Sequence, residues 1–184
     1  MFLDKIKNAN EFEIFSFEPN PALAKYHPVK PSIFINRAVW TENITRPFFV
    51  HGLGGGSTLL PAKSEHNDKK ATARPEEFDK GESIDVICID LCEWISTQFD
   101  VGDYIILKLD IEGAEYPILD KMVKSHTIAY INKLYCEFHA GRCGVPGPEH
   151  NRIITEISKY VKIREWNAMK RPYLIEPNCA EFRT

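Results

Sequence analysis

Phe12-Glu13-Ile14-Phe15-Ser16-Phe17 alternates apolar and polar positions with a period of two, which predicts a strand. It stops at Glu18-Pro19-Asn20-Pro21, a turn signal that can open a helix at Pro21-Ala22-Leu23-Ala24. Ser32 to Trp40 reads as a second strand, and Pro47 to His51 as a short third one. Residues 2–9 have the look of a short helix. Further on, Ile84 to Ile89 predicts a strand and Leu91 to Gln98 a helix. Tyr104 to Leu109 is nearly unbroken in its apolar character, as in strands covered on both faces. Ile118, Leu119, Met122 and Val123 recur at helical spacing within a predicted helix from Ala114 to Lys124. Leu134 to His139 predicts a strand, Gly141 to Pro148 a loop, and Glu149 to Tyr160 a helix with Ile153, Ile154 and Ile157 on one face. Val161 to Ile163 and Tyr173 to Ile175 predict late strands. Strands that alternate with helices imply an α/β fold, a mostly parallel sheet with helices on both faces.

No internal repeat and no linker interrupts the pattern, so residues 1–184 are expected to form a single domain. Gly52 to Ser57 is glycine-rich, and the polar stretch 61–82 predicts a mobile loop.

Composition narrows the classes. With 43% hydrophobic and 11% aromatic residues, the chain can build a core and is not intrinsically disordered. A net charge of −3 lacks the basic balance of a general nucleic-acid binder. No stretch approaches the roughly 18 apolar residues of a membrane helix, and charges interrupt the N-terminal apolar residues too often for a signal-peptide core. The five cysteines are an odd count, with Cys88 and Cys136 inside strand-like runs; reduced thiols and a cytoplasmic setting are expected. Cys88 and Cys92 lack the C-x2-C spacing of a zinc knuckle.

In open parallel sheets, ligands bind beyond the carboxyl ends of the strands. Glu18 ends the first predicted strand. Asp110-Ile111-Glu112-Gly113-Ala114-Glu115 follows the long apolar one, and Glu137-Phe138-His139 closes a later one. Each acid taken alone has a structural reading as a charge at a helix N-terminus, worth about 0.3–1 kcal/mol. A parallel sheet would bring all of them, and a histidine, to one edge.

Five segments in this order carry a family resemblance: Phe17-Glu18-Pro19-Asn20; Arg37-Ala38-Val39; Gly55-Gly56-Ser57-Thr58-Leu59; Leu107-Lys108-Leu109-Asp110-Ile111-Glu112-Gly113-Ala114-Glu115; and Cys136-Glu137-Phe138-His139. Together they resemble the FkbM family of methyltransferases. The resemblance implies a Rossmann-like class I methyltransferase fold that uses S-adenosyl-L-methionine to methylate a hydroxyl of a sugar or small natural product. It implies that Glu18, with Pro19 and Asn20, receives the cofactor ribose, since an ionised carboxylate is acceptor-only and suits two vicinal hydroxyls. Ala38 would lie near the adenine and Asp110 near the methionine end. Candidates for the base that takes the hydroxyl proton are Asp110, Glu112 and His139, the histidine first because it titrates nearest neutrality. A divalent metal on Asp110, Glu112, Glu137 or His139 is the alternative to a metal-free site, which is the primary expectation. The glycine–serine segment is expected as a turn near the acceptor.

The sequence also departs from the family pattern. Class I methyltransferases place a strand and a glycine-rich turn before the ribose-binding acid, yet none of the 17 residues before Glu18 is glycine. The first strand is therefore expected to be missing, which would leave its neighbours with unpaired edges. Those neighbours could pair directly, a second copy or partner chain could supply the strand, or the chain could be a truncated or split form. A non-catalytic interaction or carbohydrate-binding subunit on the same fold is the alternative function.

Overall fold

The computed structural model describes residues 11–26, 32–50, 56–60 and 83–165. Among these, eight strands form three sheets. β1 (Ile14–Phe17) pairs in parallel with β2 (Ser32–Ile35). β5 (Ser83–Asp90) lies between β3 (Ala38–Trp40), which is parallel to it, and β4 (Ile44–Phe49), which is antiparallel. β7 (Ile131–Cys136) lies between β6 (Ile105–Leu109) and β8 (Ile163–Glu165), parallel to both. The α/β class and the predominance of parallel pairing are as expected, but one continuous sheet is not what the described residues form. β1 and β6 belong to separate sheets, so these two strands do not close onto each other.

The predicted strand from Ser32 to Trp40 is in fact two strands. Asn36 interrupts it by turning its side-chain amide to Glu18 O at 2.8 Å and Pro19 O at 3.2 Å. The Arg37 N–H then bonds Ile35 O, two residues back. The chain bends there, and β3 starts afresh in a different sheet. β4 begins at Ile44, three residues earlier than its apolar run suggested. Pro47 sits within it opposite Asp85, tolerable because β4 is an edge strand and Pro has no N–H to offer a further neighbour.

The helices are α1 (Leu91–Gln98), α2 (Glu115–Lys124), the short α3 (Ala140–Cys143) and α4 (Gly147–Ile157). The last two occupy most of the stretch expected as a loop from Gly141 to Pro148; α4 begins early because Pro148 lies in its first turn, where a missing N–H costs nothing. The predicted helix at Pro21 is a 3-10 helix, Pro21–Tyr26. Asp90 caps α1, accepting from the N–H groups of Cys92 and Glu93, and also receives the Lys121 ammonium of α2. Leu119, Met122, Leu134, Cys136 and Ile157, from α2, β7 and α4, have no solvent exposure and form the centre of the core. Trp94 of α1 stacks edge-on against Phe15 and Phe17, with ring centroids 5.0 Å away in each case, and so ties β1 to this core. The expected helix at 2–9, the loop at 61–82 and the strand at 173–175 lie outside the described residues. No described helix is long and apolar enough to cross a membrane.

Candidate active site

β6 and β7 are adjacent and parallel, with Leu109 opposite Cys136 at their carboxyl ends. The segments leaving the two strands therefore lie side by side. The Glu137 N–H bonds Leu109 O at 3.0 Å and extends the register by one link. β7 ends at Cys136, so Glu137, Phe138 and His139 lie past the strand rather than within it.

The chain after β6 makes a tight turn. Glu112 has φ 52° and Gly113 φ 105°, both left-handed. A Cβ on Gly113 would lie 2.0 Å from Cys143 Sγ, so the position requires glycine for space as well as for φ. Thr58 Oγ1 donates to Glu112 O at 2.7 Å, and Cys143 Sγ approaches the same oxygen at 3.4 Å. The glycine–serine–threonine segment thus lies against the acidic turn at Thr58.

Glu115, the first residue of α2, is fully buried. Its Oε1 accepts from the Ile111 N–H at 3.0 Å and its Oε2 from the Gly113 N–H at 2.8 Å. Oε1 also meets His139 Nδ1 at 2.8 Å. With its Oε1 as acceptor, Glu115 fixes the ring with Nδ1–H toward itself. Nε2 then faces Glu112, whose Oε2 is 3.4 Å away. Burial disfavours the charged imidazole, but the hydrogen bond and charge of Glu115, with Glu112 and Asp110 alongside, outweigh burial and hold His139 above the ordinary histidine value. Asp110 receives Lys108 Nζ at 2.9 Å. One ligand atom each from Asp110, Glu112 and His139 lies within 4.8 Å of the others, an arrangement able to hold a proton or a cation. Glu137 is not a member of that group. It lines an open cleft of about 920 Å³ with Phe138, His150, Lys159 and Lys162, and none of Asp110, Glu112 and His139 lines that cleft.

The Glu18 end is built separately. Glu18 follows β1, and its Oε1 accepts the Asn20 N–H at 2.8 Å. Asn20 is buried and caps the next turn through Ala22 N at 3.0 Å. With Asn36 gripping the carbonyls of Glu18 and Pro19, the turn is held at both backbone and side chain. Ala38 is buried at the start of β3. The sequence-derived candidates therefore fall into two groups, Glu18-Pro19-Asn20 beyond β1 and Asp110-Glu112-His139 beyond β6 and β7. The orienting role of Glu115 and the contact of Thr58 were not assigned from sequence. The signal for the first lay in the spacing Glu112-x-x-Glu115, read only as helix-entry charge.

No curated protein and no solved structure matches the chain. The methyltransferase FkbM domain matches it over residues 1–164, through both groups of candidate residues. The chain belongs to the FkbM family of methyltransferases.

Proposed function

We propose that this protein is an S-adenosyl-L-methionine-dependent O-methyltransferase with a Rossmann-like fold, acting on a hydroxyl of a sugar or small natural product. The observation that carries the reading is the convergence of Asp110, Glu112 and His139 beyond two adjacent parallel strands of a chain from this family. The residues beyond β1 fit the cofactor's ribose: Glu18 offers a half-buried carboxylate on a turn fixed by Asn20 and Asn36. Pro19 and Asn20 shape that turn, Ala38 would back the adenine from its buried place at the start of β3, and Asp110 would take the methionine end. Bound there, the cofactor supplies a sulfonium-activated methyl group that passes to the acceptor oxygen and leaves S-adenosylhomocysteine.

The residues beyond β6 and β7 position the hydroxyl and receive its proton. Positioning carries the larger share of such a reaction, and proton removal by a placed group contributes about 10²–10⁴-fold. His139 is the member that titrates nearest neutrality, and the Glu115 hydrogen bond keeps its ring oriented.

The test is acceptor-dependent formation of S-adenosylhomocysteine from labelled cofactor across a panel of sugars and hydroxylated natural products. The expected result is turnover that falls about 10²–10⁴-fold in His139→Ala. Absence of turnover across the panel from a folded, cofactor-binding sample would favour a binding subunit instead.

A further inference from the structure

We propose that Thr58 is a positioning residue of the candidate active site: its hydroxyl fixes the backbone of Glu112 and so keeps the Glu112 carboxylate beside His139.

The turn itself creates the need for such a restraint. The Ala114 N–H bonds Ile111 O at 3.3 Å and closes a four-residue turn with Glu112 and Gly113 at its centre. Both central residues have positive φ, 52° and 105°. Such centres favour glycine, asparagine or aspartate, because a Cβ crowds the backbone there. Gly113 meets that requirement and Glu112 does not. A glutamate persists in this conformation only where its surroundings hold it.

Glu115 secures the N–H groups on either side, those of Ile111 and Gly113. The Glu112 carbonyl is secured from a distant part of the chain. Thr58 Oγ1 lies 2.7 Å from it, across 54 residues of sequence. A carbonyl cannot donate, so the hydroxyl gives its hydrogen to Glu112 O. The same Oγ1 accepts the Leu60 N–H at 3.1 Å, which orients the hydroxyl further. Thr58 is anchored in turn: it exchanges both backbone hydrogen bonds with Phe49, the last residue of β4, at 2.9 and 3.1 Å. Cys143 Sγ reaches the same carbonyl at 3.4 Å, as a weaker donor. The Thr58 hydroxyl is thus the shorter and stronger of the two restraints on Glu112 O.

The restraint matters because of what Glu112 carries. Its Oε2 stands 3.4 Å from His139 Nε2, while Nδ1 of the same ring is bonded to Glu115 at 2.8 Å. Glu115 orients the ring, and the left-handed backbone of Glu112 sets the second carboxylate against its far side. If the methyltransferase reading holds, on which this step rests, the acceptor O–H bond breaks as His139 takes the proton, and the Glu112 charge stabilises the imidazolium. Thr58 acts through Glu112 and takes no part in the proton transfer itself.

The experiment compares Thr58→Val, which keeps the shape of the side chain but lacks the hydroxyl, with Thr58→Ser, which keeps the hydroxyl. Circular dichroism establishes that each variant is folded, and Thr58→Ala replaces the valine variant should that one not fold. The first readout needs no substrate. Ring 15N resonances of His139 are recorded in the full chain at one neutral pH and identified by their loss in His139→Gln. The Nε2 resonance should move in Thr58→Val and coincide with the parent in Thr58→Ser. The second readout is methyl transfer from S-adenosyl-L-methionine to an acceptor found in the panel. In Thr58→Val kcat should fall about 10²-fold, the scale of a small misplacement of a reacting group. The KM for the cofactor should not change, because Glu18 stands beyond a strand of a different sheet. Thr58→Ser should restore kcat. An Nε2 resonance unmoved in a folded Thr58→Val, or a serine variant that behaves as the valine one, overturns the positioning role. So does parental turnover in Thr58→Val, which leaves the methyltransferase reading intact. A resonance that moves as described in a chain without methyl transfer upholds the restraint on Glu112 and overturns the methyltransferase reading instead.

Discussion

Glu115 is the residue on which the geometry of the site depends most. Its carboxylate is fully buried and serves three donors: two N–H groups of the acidic turn and the Nδ1–H of His139. Removing an acceptor strands each buried donor at a cost of about 1–3 kcal/mol. Glu115→Ala should therefore destabilise the chain by more than about 3 kcal/mol in urea unfolding, and a loss under about 1 kcal/mol would contradict the contacts described. Gly113 is the second such position. Gly113→Ala meets both a left-handed φ and the Cys143 sulfur, at about 1–3 kcal/mol for the backbone and a similar amount for overpacking. Adding Cys143→Ala should recover the packing part and leave the backbone part. An equal loss in single and double mutants would place the whole cost in φ. The acids and the histidine were legible in the sequence because chemistry-bearing residues stand at strand ends. Glu115 stood among those acids, but its orienting role was not legible, because a carboxylate in the first turn of a helix has the same pattern whether it faces solvent or the core.

At the scale of elements, Asp90 joins two helices. It caps α1 through Cys92 and Glu93 and pairs with Lys121 of α2, whose ammonium it holds above the ordinary lysine value. Asp90→Ala should lose about 1 kcal/mol for the cap alone, with a further loss because the Lys121 ammonium is left with the Thr41 carbonyl. A urea midpoint unchanged from the parent would refute this role. α2 and α4 are linked by Asp120, which pairs with Lys124 and Arg152. Burial raises the Asp120 pKa, but those two cations outweigh it and hold the carboxyl below its ordinary value of 3.8. The folded state therefore binds this proton less readily than the unfolded one. The resulting stability is present above pH 3.8 and is lost as pH falls through the lowered folded value. The melting-temperature difference between the parent and Asp120→Asn should be constant near neutrality and close on acidification below that point. A difference that persists in strong acid would show that Asp120 acts through packing. Most element types followed from periodicity, but the helix Ala140–Cys143, expected as loop, and the break at Asn36-Arg37 did not. One apolar-rich run from Ser32 to Trp40 hides a bend made by a single side-chain amide reaching a distant carbonyl.

At the scale of the molecule, parallel pairing was legible from alternating strands and helices, while its division into three sheets was not. Which strands pair depends on contacts far apart in sequence: Ala38 of β3 stands beside Cys88 of β5, its parallel neighbour in space but a distant one along the chain. β1 and β6 carry the two halves of the candidate site on different sheets. The function we propose requires those halves to act on one cofactor, Glu18 at the ribose and Asp110 near the methyl group. Calorimetric titration of the folded chain with S-adenosylhomocysteine tests this most directly. The account predicts one site of micromolar affinity, abolished by Glu18→Ala and weakened by Asp110→Ala. A folded chain that takes up no S-adenosylhomocysteine, or binds it equally well without Glu18, would contradict it.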